Sequence, residues 1–235
     1  MSEPQPHEFR SKPAWQRLLI MVGGVVVNFL LALIIYSGIM FIWGEEFLPN
    51  ENATYGIMVD SLAMEAGLQN GDKVLTLDGK EVENFYSVAA NIVLDEVKTI
   101  TVERNGTKVD IEISDEIRRK LISSSIGGFI NVRIPFIVGD FTKESKAKEA
   151  GLQVGDKITG VFNKEIEFFD EFKDAIKPYK GQDVLVHISR NGMPDSLNIP
   201  VSNEGFIGVA PKGDLKDFFE LETREYGFSR QSRQA

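Results

Sequence analysis

Apolar and polar positions follow two regimes along the 235-residue chain. From Leu18 to Trp43 the chain is apolar and holds no charged residue. About 26 residues at ~1.5 Å each give roughly 39 Å, more than the ~30 Å hydrocarbon core of a bilayer. Soluble core helices are rarely apolar all round over that length, so the run predicts one tilted transmembrane α-helix, residues 18–43. A signal peptide has a shorter apolar core, and no small-residue cleavage pattern follows.

After the helix the runs shorten and repeat. Glu65–Ala66–Gly67–Leu68–Gln69 is followed by Gly71–Asp72–Lys73 and Lys80–Glu81–Val82–Glu83. The same order returns at Glu149–Ala150–Gly151–Leu152–Gln153, Gly155–Asp156–Lys157 and Lys164–Glu165–Ile166–Glu167, 149 − 65 = 84 positions later. A repeat of that size, flanked by apolar strands, predicts two small α+β domains, residues 53–132 and 133–212.

Each copy predicts the same elements. Gly56–Val59 and Phe136–Val138 are β-rich runs, and Lys73–Leu77 and Lys157–Val161 are strands. Tight turns are expected at Asp78–Gly79 and Asn163–Lys164, then at Asn105–Gly106 and Asn191–Gly192 between strands Thr99–Glu103 and Val184–Ser189 and their partners. Helices fit Asn84–Leu94, capped by Asn84, and Phe169–Ile176, with Phe172 and Ile176 on its apolar face. Each copy ends in a predicted glycine-bearing strand: Ile126–Gly127–Gly128–Phe129–Ile130, then Gly205–Phe206–Ile207–Gly208–Val209. Such a strand beside a helix makes a groove for an added peptide strand, with backbone amides for a terminal carboxylate. A plain glycine bulge fits the same residues. Phe129 is a candidate side chain to plug the first groove.

The flanks add orientation. Arg10, Lys12 and Arg17 precede the span in a juxtamembrane segment, residues 1–17, and Glu45, Glu46 and Glu51 follow it. Positive residues stay on the cytoplasmic side, which puts both repeats outside, on a periplasmic face. Within the span, Gly24 and Asn28 share a helix face, which suits either helix packing or substrate contact. Residues 213–235 are charged with interspersed aromatics, as in an interfacial segment or a linker. A net charge of −9 argues against nucleic acid as a partner, and the absence of cysteine excludes disulfides and thiolate metal sites.

The Ala–Gly–Leu–x–x–Gly–Asp signature, twice in register and with the glycine strand last, resembles PDZ domains of the circularly permuted bacterial type. The whole chain resembles the RseP-like site-2 proteases, which are intramembrane zinc metalloproteases. The residues that carry this are Phe9–Arg17, then Gly24–Val25–Val26–Val27–Asn28–Phe29, and the Ile207–Gly208–Val209–Ala210–Pro211 stretch. The family usually has proline where Val25 stands, which leaves this helix less kinked.

The resemblance implies a protein of the inner membrane acting in regulated intramembrane proteolysis. The domain pair would gate or dock a membrane-anchored protein substrate already trimmed elsewhere, with its new carboxyl terminus in a groove. Gly24 and Asn28 would position substrate in the membrane, and Gly127, Gly128, Phe129, Phe172, Ile176, Ile207, Gly208 and Val209 would line the grooves. Zinc belongs to the parent enzyme by resemblance. Its His–Glu–x–x–His motif is not present: His7–Glu8 is followed by Phe9, Arg10 and Ser11, and His187 lies in a strand pattern. Leu77–Asp78–Gly79 copies the letters of the family's later ligand motif but sits in a predicted hairpin. The chain is therefore expected to be an internal piece of a protease, without catalytic residues of its own. A single-pass membrane adaptor with two peptide-binding modules is the alternative; no Gly–x–Ser–Gly setting supports a serine protease.

Overall fold

The computed structural model describes residues 13–124 and 126–226. His7, Arg10, Lys12 and Phe228 lie outside them. The first element is α1, Ala14–Trp43, whose first turn forms as the Gln16 and Arg17 amides donate to the Pro13 carbonyl. It begins four residues before the predicted span. Its 30 residues make it long and apolar enough to cross a membrane. It ends at Gly44, where φ is 70° and an added Cβ would lie 2.6 Å from the Arg224 carbonyl oxygen. Strand β1, Glu45–Phe47, follows.

A mostly β region comes next, as two successive hydrophobic cores. The first repeat runs β2 (Ile57–Val59), α2 (Ser61–Glu65), β3 (Lys73–Leu77), β4 (Lys80–Glu81), α3 (Val88–Leu94), β5 (Thr99–Arg104), β6 (Thr107–Glu112), α4 (Asp115–Ser123), α5 (Ile126–Phe129) and β7 (Ile130–Val132). The second runs β8 (Val138–Phe141), α6 (Lys146–Glu149), β9 (Lys157–Val161), β10 (Lys164–Glu165), α7 (Phe169–Ile176), β11 (Asp183–Arg190), β12 (Met193–Pro200) and β13 (Val209–Pro211). Each repeat has a four-stranded antiparallel sheet, β4-β3-β5-β6 or β10-β9-β11-β12, and a two-stranded pair, β2-β7 or β13-β8.

The pattern explains the layers. Ile100 and Val102 alternate inward on β5, as do Val184, Val186 and Ile188 on β11. Asn84 caps its segment by accepting from the Tyr86 amide, and Phe85, Val88, Ala89 and Ile92 bury the predicted face. That segment is a 3-10 turn, Phe85–Ser87, running into α3. Asp78–Gly79, Asn105–Gly106 and Asn191–Gly192 all have positive φ, as tight hairpins with right-handed strands require.

Two expectations need correction. The second copy turns at Phe162–Asn163, one position before Asn163–Lys164, with Phe162 at φ 50° and its ring 5.0 Å from that of Tyr179. The first glycine strand is also not continuous: Ile126–Phe129 forms a turn of helix, and the strand starts only at Ile130. The reason is burial. Phe129 is fully enclosed in the first core, and α5 packs against α2, α3 and α4.

The cores meet at Arg133. Its guanidinium lies 3.9 Å over the Phe168 ring, bonds Asp170 through Nε (3.0 Å) and reaches Glu171 through Nη2 (2.7 Å). Tyr55 stands edge-on to both Phe168 and Phe219. The chain after the second repeat returns over the first: Phe219 is buried in the first core, with Leu215, Phe218 and Leu221 packed against it. This part of the 213–235 segment packs as a strap on the first core. It leads into β14, Glu222–Arg224, which pairs with β1, and Tyr226 donates to Glu45 (2.8 Å).

Candidate functional site

The Gly–Asp signature has a structural use, identical in both copies. Asp156 is almost fully buried. Arg190 forks onto it, Nε to Oδ1 at 2.8 Å and Nη2 to Oδ2 at 2.7 Å, and Nη2 also donates to the Gly151 carbonyl at 2.9 Å. The Gln153 amide donates to the same carboxylate at 2.8 Å. In the first copy Arg104 holds Asp72 at 2.7 and 2.6 Å and the Gly67 carbonyl at 2.9 Å, while the Gln69 amide completes the set at 2.9 Å. A bidentate fork of this kind fixes both distance and angle. Burial raises the Asp156 pKa, but the Arg190 hydrogen bond and the Gln153 amide more than offset it and hold it below the usual range. The bond to the carboxylate raises the pKa of Arg104 and Arg190 in turn.

These turns anchor the strands that carry the glycine segments. Val138 donates to the Asp156 carbonyl, and Gly155 donates to that of Val138. Val138 belongs to β8, which pairs with β13. The Thr142 amide then holds the Gly208 carbonyl, and the Ala147 amide that of Ile207. Among the described residues, the Ile207 and Gly208 N–H groups donate to no protein acceptor. They head a cleft of about 870 Å³ between this segment and α7, with Phe136, Phe169, Phe172, Ile176, Ile207 and Val209 in its lining. Gly208 has φ 78°, and a Cβ there would lie 2.7 Å from Ser145 Cα and Thr142 Oγ1, so the backbone stays bare.

The first repeat differs at the corresponding place. Its Asp60 amide donates to the Phe129 carbonyl, as Thr142 does to Gly208, so Phe129 stands where the second copy has glycine. Gly127, Gly128 and Phe129 lie in α5 instead of along a strand edge, and Phe129 is buried in the first core. Ile207, Gly208, Val209, Phe172 and Ile176 line one cleft, whereas Gly128 lines a separate cleft beside Met58 and Asp60. Sequence reasoning omits Lys173, Lys177 and Lys180, which also line the second repeat's cleft. Gly24 and Asn28 lie one turn apart on α1, both exposed, with open space around Gly24.

Zinc finds no matching donor set among the described residues. Among the described residues no three His, Cys, Asp or Glu side chains are grouped to hold a metal ion. His187 is occupied at both nitrogens, with Nε2 2.8 Å from the Phe162 carbonyl and Nδ1 2.8 Å from Ser196 Oγ. Asp78 accepts from the Lys98 and Thr99 amides in its hairpin.

The profile of peptidase family M50 matches residues 1–190. The chain belongs to peptidase family M50. Among its relatives, the Escherichia coli K12 protein "Regulator of sigma-E protease RseP" is 30% identical over 247 residues, 96% of this chain and 53% of that protein. "Protease RseP" of Yersinia pestis is 28% identical over 246 residues, with the same coverage. "Putative zinc metalloprotease NMA0084" of Neisseria meningitidis is 25% identical over 225 residues, 89% of this chain and 50% of the relative. The chain spans about half the length of the curated relatives it matches. The resemblance to RseP-like site-2 proteases is thereby shown, and this M50 chain carries one long apolar helix ahead of its mostly β region.

Proposed function

We propose that this chain is the membrane-helix and tandem-PDZ portion of an intramembrane zinc metalloprotease, working in regulated intramembrane proteolysis. In this reading α1 spans the inner membrane and both repeats lie on the periplasmic side. Their substrate is a membrane-anchored protein already shortened by an earlier cut. The second repeat docks the new carboxyl terminus, and the first, closed by Phe129, contributes bulk that excludes untrimmed proteins. Gly24 and Asn28 contact substrate within the bilayer. The M50 match is why we prefer this to a non-catalytic adaptor.

One observation carries the docking part: an open cleft with an apolar floor and two unpaired N–H groups at its head. Unpaired amides beside an apolar pocket suit a terminal carboxylate followed by a strand added along β13. The test is fluorescence anisotropy of the full chain in detergent with short labelled peptides ending in valine. Binding of the free acid with loss of binding by the carboxyl amide supports docking. Equal binding of both forms, or of neither, refutes it. For the membrane residues, Asn28→Ala in the whole protease should slow cleavage; cleavage at the parent rate rejects that role.

A further inference from the structure

We propose that the second cleft selects by charge as well as by its end pocket, preferring carboxyl-terminal peptides with acidic residues at alternate positions upstream. This rests on the docking reading above. The helix side of the cleft presents two rows. Phe169, Phe172 and Ile176 form an apolar one. Lys173 and Lys177, one turn apart on α7 and the turn after it, and Lys180 beyond them form a basic one that is exposed along the rim. Among the described residues, Glu204 is the one carboxylate in that lining. In a chain of net charge −9, three lysines against Glu204 and Asp174 leave this rim net positive.

The lysines are available. Lys177 pairs with Asp174 at 2.7 Å, but both are more than half exposed, and such pairs hold weakly. The ammonium of Lys173 sits 5.6 Å from the Phe169 ring centroid, beside the cleft. Lys180 is placed by its stem, which occupies the space a Cβ on Gly205 would need, with Cε 3.1 Å from that position. This sets it beside the amide-bearing segment. A bound strand points alternate side chains to opposite sides. With the last residue turned to the apolar floor, the first and third residues before it turn to the rim and its lysines. Asp or Glu there meets opposite charge, and Lys or Arg meets like charge.

The experiment uses the full chain in detergent and three labelled peptides identical except at those two positions, which carry Glu, Gln or Lys. At low salt the Glu peptide should bind about fivefold tighter than the Gln peptide, as two exposed ion pairs allow, and the Lys peptide weakest. The gap should shrink in about 0.5 M salt. The triple variant K173E/K177E/K180E, changed only at exposed positions, should invert the order. Glu and Gln peptides within twofold of each other at low salt, while both bind, overturn the charge selection and leave docking standing. No binding by any of the three overturns both. The wild-type salt series decides the matter even if the triple variant does not fold.

Discussion

Consider Arg190→Ala. The substitution leaves Asp156 with 2% side-chain exposure and without its fork, keeping only the Gln153 amide among the partners described above. Breaking a buried ion pair by removing one partner costs about 3–5 kcal/mol, because the remaining charge stays buried. Arg190 is itself 28% exposed, so water reaches the vacated side, and we take the lower end, about 3 kcal/mol. Arg190→Lys should recover only part of this, since an ammonium cannot reproduce the fork.

The assay is denaturant unfolding of the full chain in detergent, with hydrogen exchange read by mass spectrometry to locate the loss. Faster exchange is expected first at Val138 and Gly155, whose amides close the turn, and then at Thr142 and Ala147, which hold the Ile207–Gly208 segment. Peptide affinity should fall with it. Arg104→Ala should produce the same cost in the first core and leave peptide binding intact. An Arg190→Ala chain within about 0.5 kcal/mol of the parent would refute the reasoning, because no unpaired buried carboxylate is that cheap.

Acid should destabilise the protein through Asp156 and Glu171. Burial raises the Glu171 pKa, but the Glu167 and Phe168 amides and Arg133 together hold it below its ordinary value, as the fork does for Asp156. A depressed folded pKa gives stability that is present above the unfolded values of about 4 and lost as pH falls through the folded ones, so Tm should drop below pH ~4 and Asp156→Asn should flatten the slope. Phe129→Ala removes a fully buried ring and should cost about 3–5 kcal/mol in the first core, read by denaturation, without weakening peptide binding in the second. Arg133→Ala strands Asp170, which is 6% exposed, and should cost about 3 kcal/mol, with new protease sensitivity near Ile134 and Pro135.

Local pattern made much of this legible. Strands Lys73–Leu77 and Lys157–Val161 and helix Phe169–Ile176 match to the residue, because alternation or a 3.6 period coincided with caps and turns at their ends. Helix α4 is absent from the sequence reading although its signal is present: Ser114 caps Ile117, Asp115 and Glu116 fill the first turn, and Ile117 and Leu121 are buried on one face. The turn at Phe162 follows from the register, since Asp78 plus 84 is 162, but an aromatic residue there hides the usual turn chemistry. The lysine row has an i, i+4, i+7 spacing that is legible in the sequence, but only the fold sets it beside the amide-bearing segment.

The first glycine segment was the least legible part, and the reason bears on function. Gly127–Gly128–Phe129 and Phe206–Ile207–Gly208 both read as glycine among apolar residues, and local propensity does not separate them. What separates them is one side chain at one hydrogen-bonded position. With glycine at 208, the backbone packs closely against Ser145 and Thr142, and among the described residues the Ile207 and Gly208 amides stay unpaired. With phenylalanine at 129, burying the ring in the core is worth about 2–3 kcal/mol, enough to wind the segment into a helical turn. The same scaffold, pinned by the same Arg–Asp fork, thus yields an open cleft in one copy and a filled one in the other. In the docking reading proposed above, peptide binding is therefore assigned to the second repeat, and the first acts through shape.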